Sequence, residues 1–230
     1  KEDMALNRAF SKVVRFPKIG MGAGSLANAG GEEAFKTTIQ TAWNDGVRYF
    51  DTSAFYLGGE SERRLGAALA HAPREEVIFT TKVGRYQNHT GSSIDPDNKR
   101  SFYDYSADAT RRSVERSLAR LGVERIDAVF IHDLDHRFCG DAFDELFQQA
   151  RDEVYPALQR LKEEGLVRAM GIAAMDWRAC LALSQAVELD VVMPAGEYSL
   201  LRTTSRPLLD HCLQNNISWI AASPFNSGIL

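Results

Sequence analysis

The sequence predicts an α/β fold, a (β/α)8 barrel, because short apolar runs alternate with helical segments along most of its 230 residues. Several of the seven runs are apolar on both faces, as buried parallel strands are. The predicted strands are residues 18–23, 47–51, 77–82, 126–132, 166–172, 190–193 and 217–222. Alternating strands and helices with right-handed crossovers form a parallel sheet, either closed as a barrel or open and doubly wound.

Four helical segments carry an apolar stripe that stops at a glycine or an asparagine. These two residue types readily take the left-handed backbone conformation with which many helices end. The stripes are Phe35, Ile39, Ala42 and Trp43 before Gly46; Val114, Leu118 and Leu121 before Gly122; Leu158 and Leu161 before Gly165; and Leu208, Leu209, Cys212 and Leu213 before Asn215 and Asn216.

The glycine-rich segment IGMGAGSLANAGG argues against an open dinucleotide-binding sheet. Its Gly20, Gly22 and Gly24 lack the GxGxxG spacing that leads directly into a helix. In a barrel, functional residues lie at the carboxyl ends of the strands. This chain has polar residues there repeatedly: Asp51, Lys82, His132 and Ser223. We therefore expect a barrel that forms a single domain over residues 1–230.

Composition excludes several classes of function. A net charge of -4, from 27 basic and 31 acidic residues without a basic cluster, argues against nucleic acid and anionic membranes as partners. Three widely spaced cysteines indicate neither a disulfide framework nor a CxxC site, which favours a reducing compartment. No apolar stretch is long enough to span a membrane and no secretion signal is evident. We expect a cytoplasmic protein that acts on a small molecule, and the sequence leaves its oligomeric state open.

Two stretches interrupt the regular spacing. Residues 84–106 are rich in Gly, Ser, Asp and Asn and show no period, so we expect a functional or mobile loop over the barrel mouth. Residues 133–152 are the second stretch, and no regular element is predicted for them.

Four polar residues converge on one rim of the predicted barrel. Asp51, Lys82 and His132 end three neighbouring strands, and Tyr56 follows the first of them. A free phenol has a pKa of about 10. A nearby lysine ammonium is expected to lower that pKa, an aspartate to hold the lysine charged, and a histidine to hydrogen-bond the reacting oxygen. The cluster predicts a proton donor and acceptor for a carbonyl/alcohol pair.

Several segments together resemble successive blocks of the aldo-keto reductase family, in the same order and over nearly the whole chain. The segments are GVRYFDTSAFY, SERRLG, VIFTTKVG, SLARLGVERIDAVFIHDLD, LQRLKEEGLVRAMGIA and SPFNSGIL. Within that family, IHDLDH, AGEYSLL and FNSGIL are similar to the branch of D-threo-aldose (L-fucose) 1-dehydrogenases, L-galactose dehydrogenases and pyridoxal 4-dehydrogenases.

The resemblance implies a (β/α)8 barrel that transfers a hydride between a nicotinamide cofactor, NADP or NAD, and a carbonyl or alcohol. It implies catalytic roles for Asp51, Tyr56, Lys82 and His132, with Tyr56 as the residue that transfers the proton. It also places four residues against the cofactor pyrophosphate: Ser223, Phe225, Ser227 and Gly228.

The chain departs from the family pattern in three places. Ala173, Ala174 and Met175 stand where a Ser-Asn pair usually contacts the nicotinamide carboxamide. Ala222 stands where an aromatic residue often stacks on the nicotinamide. The printed chain also ends at Leu230, after the seventh strand, so we expect the last helix and the eighth strand to be absent from it.

Other interpretations of single residues remain open. Asp51 alone could cap a turn, and Lys82 could extend to solvent. A metal site at His132, Asp133, Asp135 and His136 is disfavoured because neighbouring residues of an extended strand point to opposite faces; we expect no metal. Ser61 and Glu62 are predicted to cap a helix, and the arginines of ATRRSVERSLARLG, Arg111, Arg112, Arg116 and Arg120, to form a solvated face.

The sequence therefore predicts an NAD(P)-dependent oxidoreductase of aldose 1-dehydrogenase type. The alternatives are a pyridoxal dehydrogenase, a general aldehyde or ketone reductase and, from another class, a nicotinamide-binding regulatory barrel without efficient catalysis.

Overall fold

Seven parallel strands form a single curled sheet in the computed structural model, which describes residues 13–26, 30–87 and 101–229. The strands are β1 (Met21–Gly22), β2 (Tyr49–Asp51), β3 (Ile78–Val83), β6 (Ile126–His132), β7 (Val167–Ala174), β8 (Val191–Pro194) and β9 (Ser218–Trp219); β4 (Arg85–Gln87) and β5 (Ser101–Tyr103) form a separate ribbon. The order in the main sheet is β1-β2-β3-β6-β7-β8-β9. All seven predicted strands are confirmed, and within the described residues the sheet is an incomplete barrel.

Helices connect these strands and cover the outside of the sheet. They are α1 (Gly31–Asn44), α2 (Glu60–Ala68), α3 (Ala107–Leu121), α4 (His136–Cys139), α5 (Phe143–Gln149), α6 (Tyr155–Glu163), α7 (Trp177–Ala186) and α8 (Arg206–Asn215). Gly122 and Asn216 end α3 and α8 in the left-handed conformation, with φ of 68° and 57°, as the sequence predicts. None of the described helices has the length and apolarity needed to cross a membrane.

Strand alternation decides which side chains face the inside of the curled sheet. On β6, Val129 and Ile131 pack outward into the main core beneath the helices, whereas Ala128 and Phe130 belong to a second, inner cluster. His132 follows with the same period of two and therefore shares the inner face. By the same alternation Tyr49 and Asp51 lie on the inner face of β2.

The prediction of a loop over residues 84–106 is wrong at both ends of that segment. These ends form an antiparallel ribbon of β4 (Arg85–Gln87) and β5 (Ser101–Tyr103). Tyr86 and Phe102 lie opposite each other with ring centroids 5.5 Å apart, and such cross-strand aromatic pairs stabilise a short ribbon. The middle of the segment lies outside the described residues.

Residues 133–152 are also more regular than the sequence predicts. Asp135 caps the short helix α4 by accepting a hydrogen bond from the Phe138 N–H. Helix α5 follows, and a π-helical turn (Ala150–Val154) joins it to α6. The segment therefore forms a helical insertion next to the carboxyl end of β6.

Candidate active site

The buried ion pair of Lys82 and Asp51 forms the floor of the site. Lys82, at the end of β3, is 3% exposed, and its Nζ lies 2.6 Å from Asp51 Oδ2 and 2.7 Å from the Thr52 carbonyl oxygen. Thr80 Oγ1 donates to Asp51 Oδ1 at 2.7 Å. Both carboxylate oxygens are thus engaged, and the alternatives in which Asp51 caps a turn or Lys82 extends to solvent are wrong.

Tyr56 is brought over this pair by the turn that follows β2. The turn (Tyr56–Gly59) contains left-handed residues at Leu57 and Gly58, and the Tyr56 N–H donates to the Ser53 carbonyl oxygen at 3.1 Å. Lys82 Nζ lies 5.0 Å from the centroid of the Tyr56 ring.

Gly24, in the loop after β1, leaves the space that the Tyr56 ring occupies. A Cβ atom at Gly24 would lie 3.1 Å from two carbons of the ring, closer than ordinary contact. The tyrosine is therefore held by the backbone of one loop and the close approach of another.

Protonation in the site follows from burial and from the lysine. Burial raises the pKa of Tyr56, and the charge of Lys82 opposes that rise only in part. The expected lowering of this pKa by Lys82 is present, but the rise caused by the loss of water is larger. Burial also acts to lower the pKa of Lys82, but Asp51 and Tyr56 together raise it. At neutral pH the site holds a neutral phenol beside a lysine ammonium.

His132 is a buried neutral imidazole in this cluster. Its ring lies edge-on to that of Tyr56, with centroids 5.8 Å apart. Burial, followed by the charges of Lys82 and Arg85, lowers the pKa of His132 well below its ordinary value. A neutral imidazole carries one N–H, so the position of that proton decides whether the ring donates or accepts at its other nitrogen.

The contact with Ser53 indicates that the His132 proton is on Nε2. Ser53 Oγ lies 3.1 Å from His132 Nδ1 and already accepts a hydrogen bond from the Phe55 N–H at 3.0 Å. Within the described part of the chain, Nδ1 is the one acceptor placed to receive the buried Ser53 hydroxyl proton. Because a buried donor without an acceptor is costly, the hydroxyl donates to Nδ1 and the Nε2–H remains.

Asp133 lies beside this N–H. Asp133 has a φ of 52°, and its Oδ2 is 3.4 Å from His132 Nε2 and paired with Arg85 Nη1. The expectation that His132 and Asp133 point to opposite faces is wrong, because the backbone leaves the extended conformation at Asp133.

Asp135, another residue of the disfavoured metal site, is engaged by the protein itself. The Asp135 carboxylate is fully buried and accepts hydrogen bonds from the N–H groups of Phe138, Met175 and Asp176. Among the described residues, no three His, Cys, Asp or Glu side chains lie together as metal ligands would.

Ser61 and Glu62 do not cap a helix; they lie inside α2, both fully buried. Ser61 Oγ accepts from Thr52 Oγ1 at 2.9 Å, and Glu62 accepts from Thr81 Oγ1 at 2.5 Å. These bonds brace the ends of β2 and β3 directly beside Asp51 and Lys82. The sequence contained no signal for this role beyond the SE pair after the glycines.

The prediction that the arginines of α3 form a solvated face is wrong for Arg120. Its Nε donates to Glu62 at 2.6 Å and supplies the positive charge that a buried carboxylate needs. Arg111 and Arg112 form ion pairs at the surface, as expected.

The segment after β9 contains the four residues that the resemblance places against a pyrophosphate. Ser223 and Phe225 are exposed, and Ser227 and Gly228 lie in a single helical turn (Asn226–Gly228). Left-handed φ values of 52°, 46° and 92° occur at Ser223, Asn226 and Gly228. Backbones that alternate in hand turn N–H groups toward an anion. In this segment Asn226 and Gly228 already donate their N–H groups to the carbonyl oxygens of Ser223 and Phe225.

The end of β7 has no polar side chain to offer a carboxamide. Ala173 and Ala174 are buried there, and the Met175 N–H is engaged by Asp135. The structure thus agrees with the sequence in lacking, at this position, the side chains that usually contact the nicotinamide carboxamide.

The fold and this cluster define a parallel barrel-type α/β protein with an acid–base site at the carboxyl ends of its strands. The aldo/keto reductase family model matches residues 18–230. The chain belongs to the aldo/keto reductase family.

Similar proteins include sugar dehydrogenases. The chain is 34% identical to a D-threo-aldose 1-dehydrogenase of Pseudomonas sp, with 93% of this chain and 67% of that protein covered. It is 31% identical to an L-galactose dehydrogenase of Arabidopsis thaliana, with 92% and 62% covered. The chain therefore spans about two thirds or less of these relatives' length.

Solved structures share the fold. A glycerol dehydrogenase of Gluconobacter oxydans has a TM-score of 0.73 and 26% identity, with 94% of this chain and 64% of that chain covered. An aldo-keto reductase of Bacillus halodurans in its holo form has a TM-score of 0.75 at 24% identity, with 94% and 65% covered. This second likeness concerns the fold alone.

Proposed function

We propose that the protein is an NAD(P)-dependent oxidoreductase that transfers a hydride between a nicotinamide cofactor and a sugar or another small alcohol or carbonyl compound. The observation that carries this proposal is the buried Lys82–Asp51 pair beneath Tyr56, beside the neutral His132. This arrangement can exchange one proton with an oxygen and stabilise the charge that develops on it, which is what interconversion of alcohol and carbonyl requires.

Each residue of the cluster has a separate part in that exchange. In the oxidative direction the ionised fraction of Tyr56 takes the proton of the substrate hydroxyl; in reduction its phenol donates that proton to the carbonyl oxygen. The Lys82 ammonium stabilises the phenolate, and Asp51 keeps the ammonium in place. The His132 Nε2–H donates to the same substrate oxygen. The nicotinamide, when bound, accepts or supplies the hydride.

The segment after β9 supports a dinucleotide cofactor. Its exposed left-handed residues form the kind of backbone that binds an anion, and we assign Ser223, Phe225, Ser227 and Gly228 to the pyrophosphate on that basis. Either NAD or NADP meets this requirement, since both carry the same pyrophosphate.

Among substrates, an aldose oxidised at its anomeric carbon ranks first. A D-threo-aldose 1-dehydrogenase and an L-galactose dehydrogenase are similar over more than nine tenths of this chain. A pyridoxal 4-dehydrogenase of Microbacterium luteolum, 29% identical over 84% of this chain, keeps pyridoxal as the second candidate.

The decisive experiment is to follow the absorbance of reduced nicotinamide when the purified protein meets NAD⁺ or NADP⁺ with L-fucose, L-galactose, D-arabinose or pyridoxal. A rise with one sugar and one cofactor supports the proposal and fixes both. Cofactor binding, seen by protein fluorescence, without turnover of any of these alcohols or of simple aldehydes would instead favour a nicotinamide-binding barrel without catalysis.

We also propose a cytoplasmic location. The three cysteines are all free thiols in the structure, which suits a reducing compartment. Fractionation of cells that produce the tagged protein tests this, and recovery with an extracellular or membrane fraction would contradict it.

A further inference from the structure

We propose that Asp133 selects the substrates of this site by accepting a hydrogen bond from a hydroxyl group on the carbon next to the reacting carbon. The site would then prefer hydroxylated aldehydes and sugars over plain aldehydes. This inference rests on the proposed function and deepens it, because proton transfer through Tyr56 needs no carboxylate in this position.

The backbone of Asp133 is what aims its carboxylate at the site. Its N–H still pairs with the Ala173 carbonyl oxygen at 2.8 Å, as a continuation of the sheet, but its φ of 52° then turns the chain. Non-glycine residues in this region are uncommon and cluster at functional sites. The turn brings Asp133 Oδ2 within 3.4 Å of His132 Nε2, the atom assigned to bind the substrate oxygen.

Arg85 holds one oxygen of that carboxylate. Its Nη1 donates to Asp133 Oδ2. The guanidinium lies against two aromatic rings, 4.1 Å from the Phe55 centroid and 4.6 Å from that of Phe138. Burial raises the pKa of Asp133, and the charge of Arg85 opposes that rise. The arginine thus fixes the position of the carboxylate and favours its ionised form.

The second oxygen of Asp133 is available to a ligand. Within the described residues no protein group donates to Asp133 Oδ1, and the side chain is 13% exposed. An ionised carboxylate accepts hydrogen bonds and cannot donate them. The chemistry that it recognises is therefore a neutral donor such as a hydroxyl group.

Geometry puts that hydroxyl next to the reacting carbon. A substrate oxygen bound to His132 Nε2 lies about 2.9 Å from it, and Asp133 Oδ2 lies 3.4 Å from the same nitrogen. A hydroxyl on the adjacent carbon is therefore close to Asp133. A plain aldehyde offers no donor and leaves Asp133 Oδ1 partly desolvated without a partner, which a site of this kind penalises.

The test compares lactaldehyde with propionaldehyde, which differ only in the hydroxyl on the second carbon. Their reduction is followed with NADH or NADPH, and kcat/KM is measured for the wild type, Asp133→Asn and Asp133→Gly. Asn keeps the shape without the charge, and Gly removes the side chain at a φ that suits glycine. Asp141→Asn, at an exposed site of the same helical insertion, is the matched control.

We expect the wild type and Asp141→Asn to prefer lactaldehyde by about 10- to 100-fold, the range for a hydrogen bond to a charged group. Both Asp133 variants should lose most of that preference, mainly through a higher KM for lactaldehyde, while kcat for propionaldehyde is retained. An unchanged preference, or an equal loss with both aldehydes, would overturn the proposal. Turnover of a sugar of the panel above without turnover of lactaldehyde would overturn this proposal alone. Absence of turnover with both aldehydes and with that whole panel would overturn the proposed function as well.

Discussion

Lys82 Nζ and Asp51 Oδ2 lie 2.6 Å apart at the ends of two adjacent strands, with side chains only 4% and 14% exposed. The register of the sheet makes this contact: Asp51 pairs with Thr80, and Lys82 is two residues further along β3. Both residues lie on the inner face because the period of a strand is two. The ion pair is thus a product of strand register and of burial together.

Replacing Lys82 with Met should destabilise the fold by about 3–5 kcal/mol, because it leaves the buried Asp51 carboxylate without its partner. Urea unfolding measures this loss. The double variant Lys82→Met with Asp51→Leu should recover much of it, since the uncompensated charge is gone. If the two single losses simply add in the double variant, the pair is not energetically coupled.

Tyr56→Phe should lower kcat by about 100- to 10,000-fold, the usual contribution of a positioned proton-transfer group. The ring is retained, so thermal stability and cofactor binding by fluorescence should change little. Turnover is read from nicotinamide absorbance. A variant that keeps the wild-type rate would remove Tyr56 from the reaction.

Ser53→Ala should allow the His132 proton to move to Nδ1 and so weaken donation from Nε2. We expect kcat to fall about 5-fold, in keeping with the loss of one hydrogen bond of about 1 kcal/mol. Nitrogen NMR of labelled histidine reports the tautomer directly, with Nε2 protonated in the wild type. Ser53→Thr, which keeps the hydroxyl, should restore both readouts; an unchanged tautomer in Ser53→Ala would contradict the assignment.

Acid should destabilise the protein through His132. Its pKa is depressed in the folded state, so the unfolded chain binds the proton more readily, and stability falls as the pH drops below about 6.5. Urea unfolding between pH 7.5 and 5 measures the slope. In His132→Asn this contribution is absent, and the slope should be shallower. Identical slopes would show that other groups control the acid sensitivity.

Gly24→Ala should lower activity without a large loss of stability. The added Cβ would lie 3.1 Å from the Tyr56 ring, which must then shift from its place above Lys82. We expect kcat to fall about 10- to 100-fold, since small displacements of reacting groups cost rates of this order. Gly22→Ala is the control, because nothing lies within 4 Å of a Cβ there. Equal activity of the two variants would show that Tyr56 tolerates the intrusion.

The apolar runs were sufficient to predict the seven strands, because a parallel strand that is buried on both faces has a continuous apolar sequence. The helix ends at Gly122 and Asn216 were also predictable from the sequence, because few residues tolerate a left-handed backbone. The ribbon of β4 and β5 could not be predicted from the sequence. Its strands have three residues each and lack an apolar run, and they are stabilised by pairing across the ribbon.

The sequence by itself determined which residues end the strands, and therefore that Asp51, Lys82 and His132 meet on one rim with Tyr56 beside them. Only the tertiary structure decided their protonation, because burial depends on everything that packs around a group; it made Tyr56 a stronger base than the lysine alone would suggest. Only the fold brought Ser53 to His132, 79 positions away, and Arg120 to Glu62, 58 positions away. The fold also turned Asp133 toward the site. Side chains alternate between the two faces of a strand only while the backbone is extended, and at Asp133 it is not.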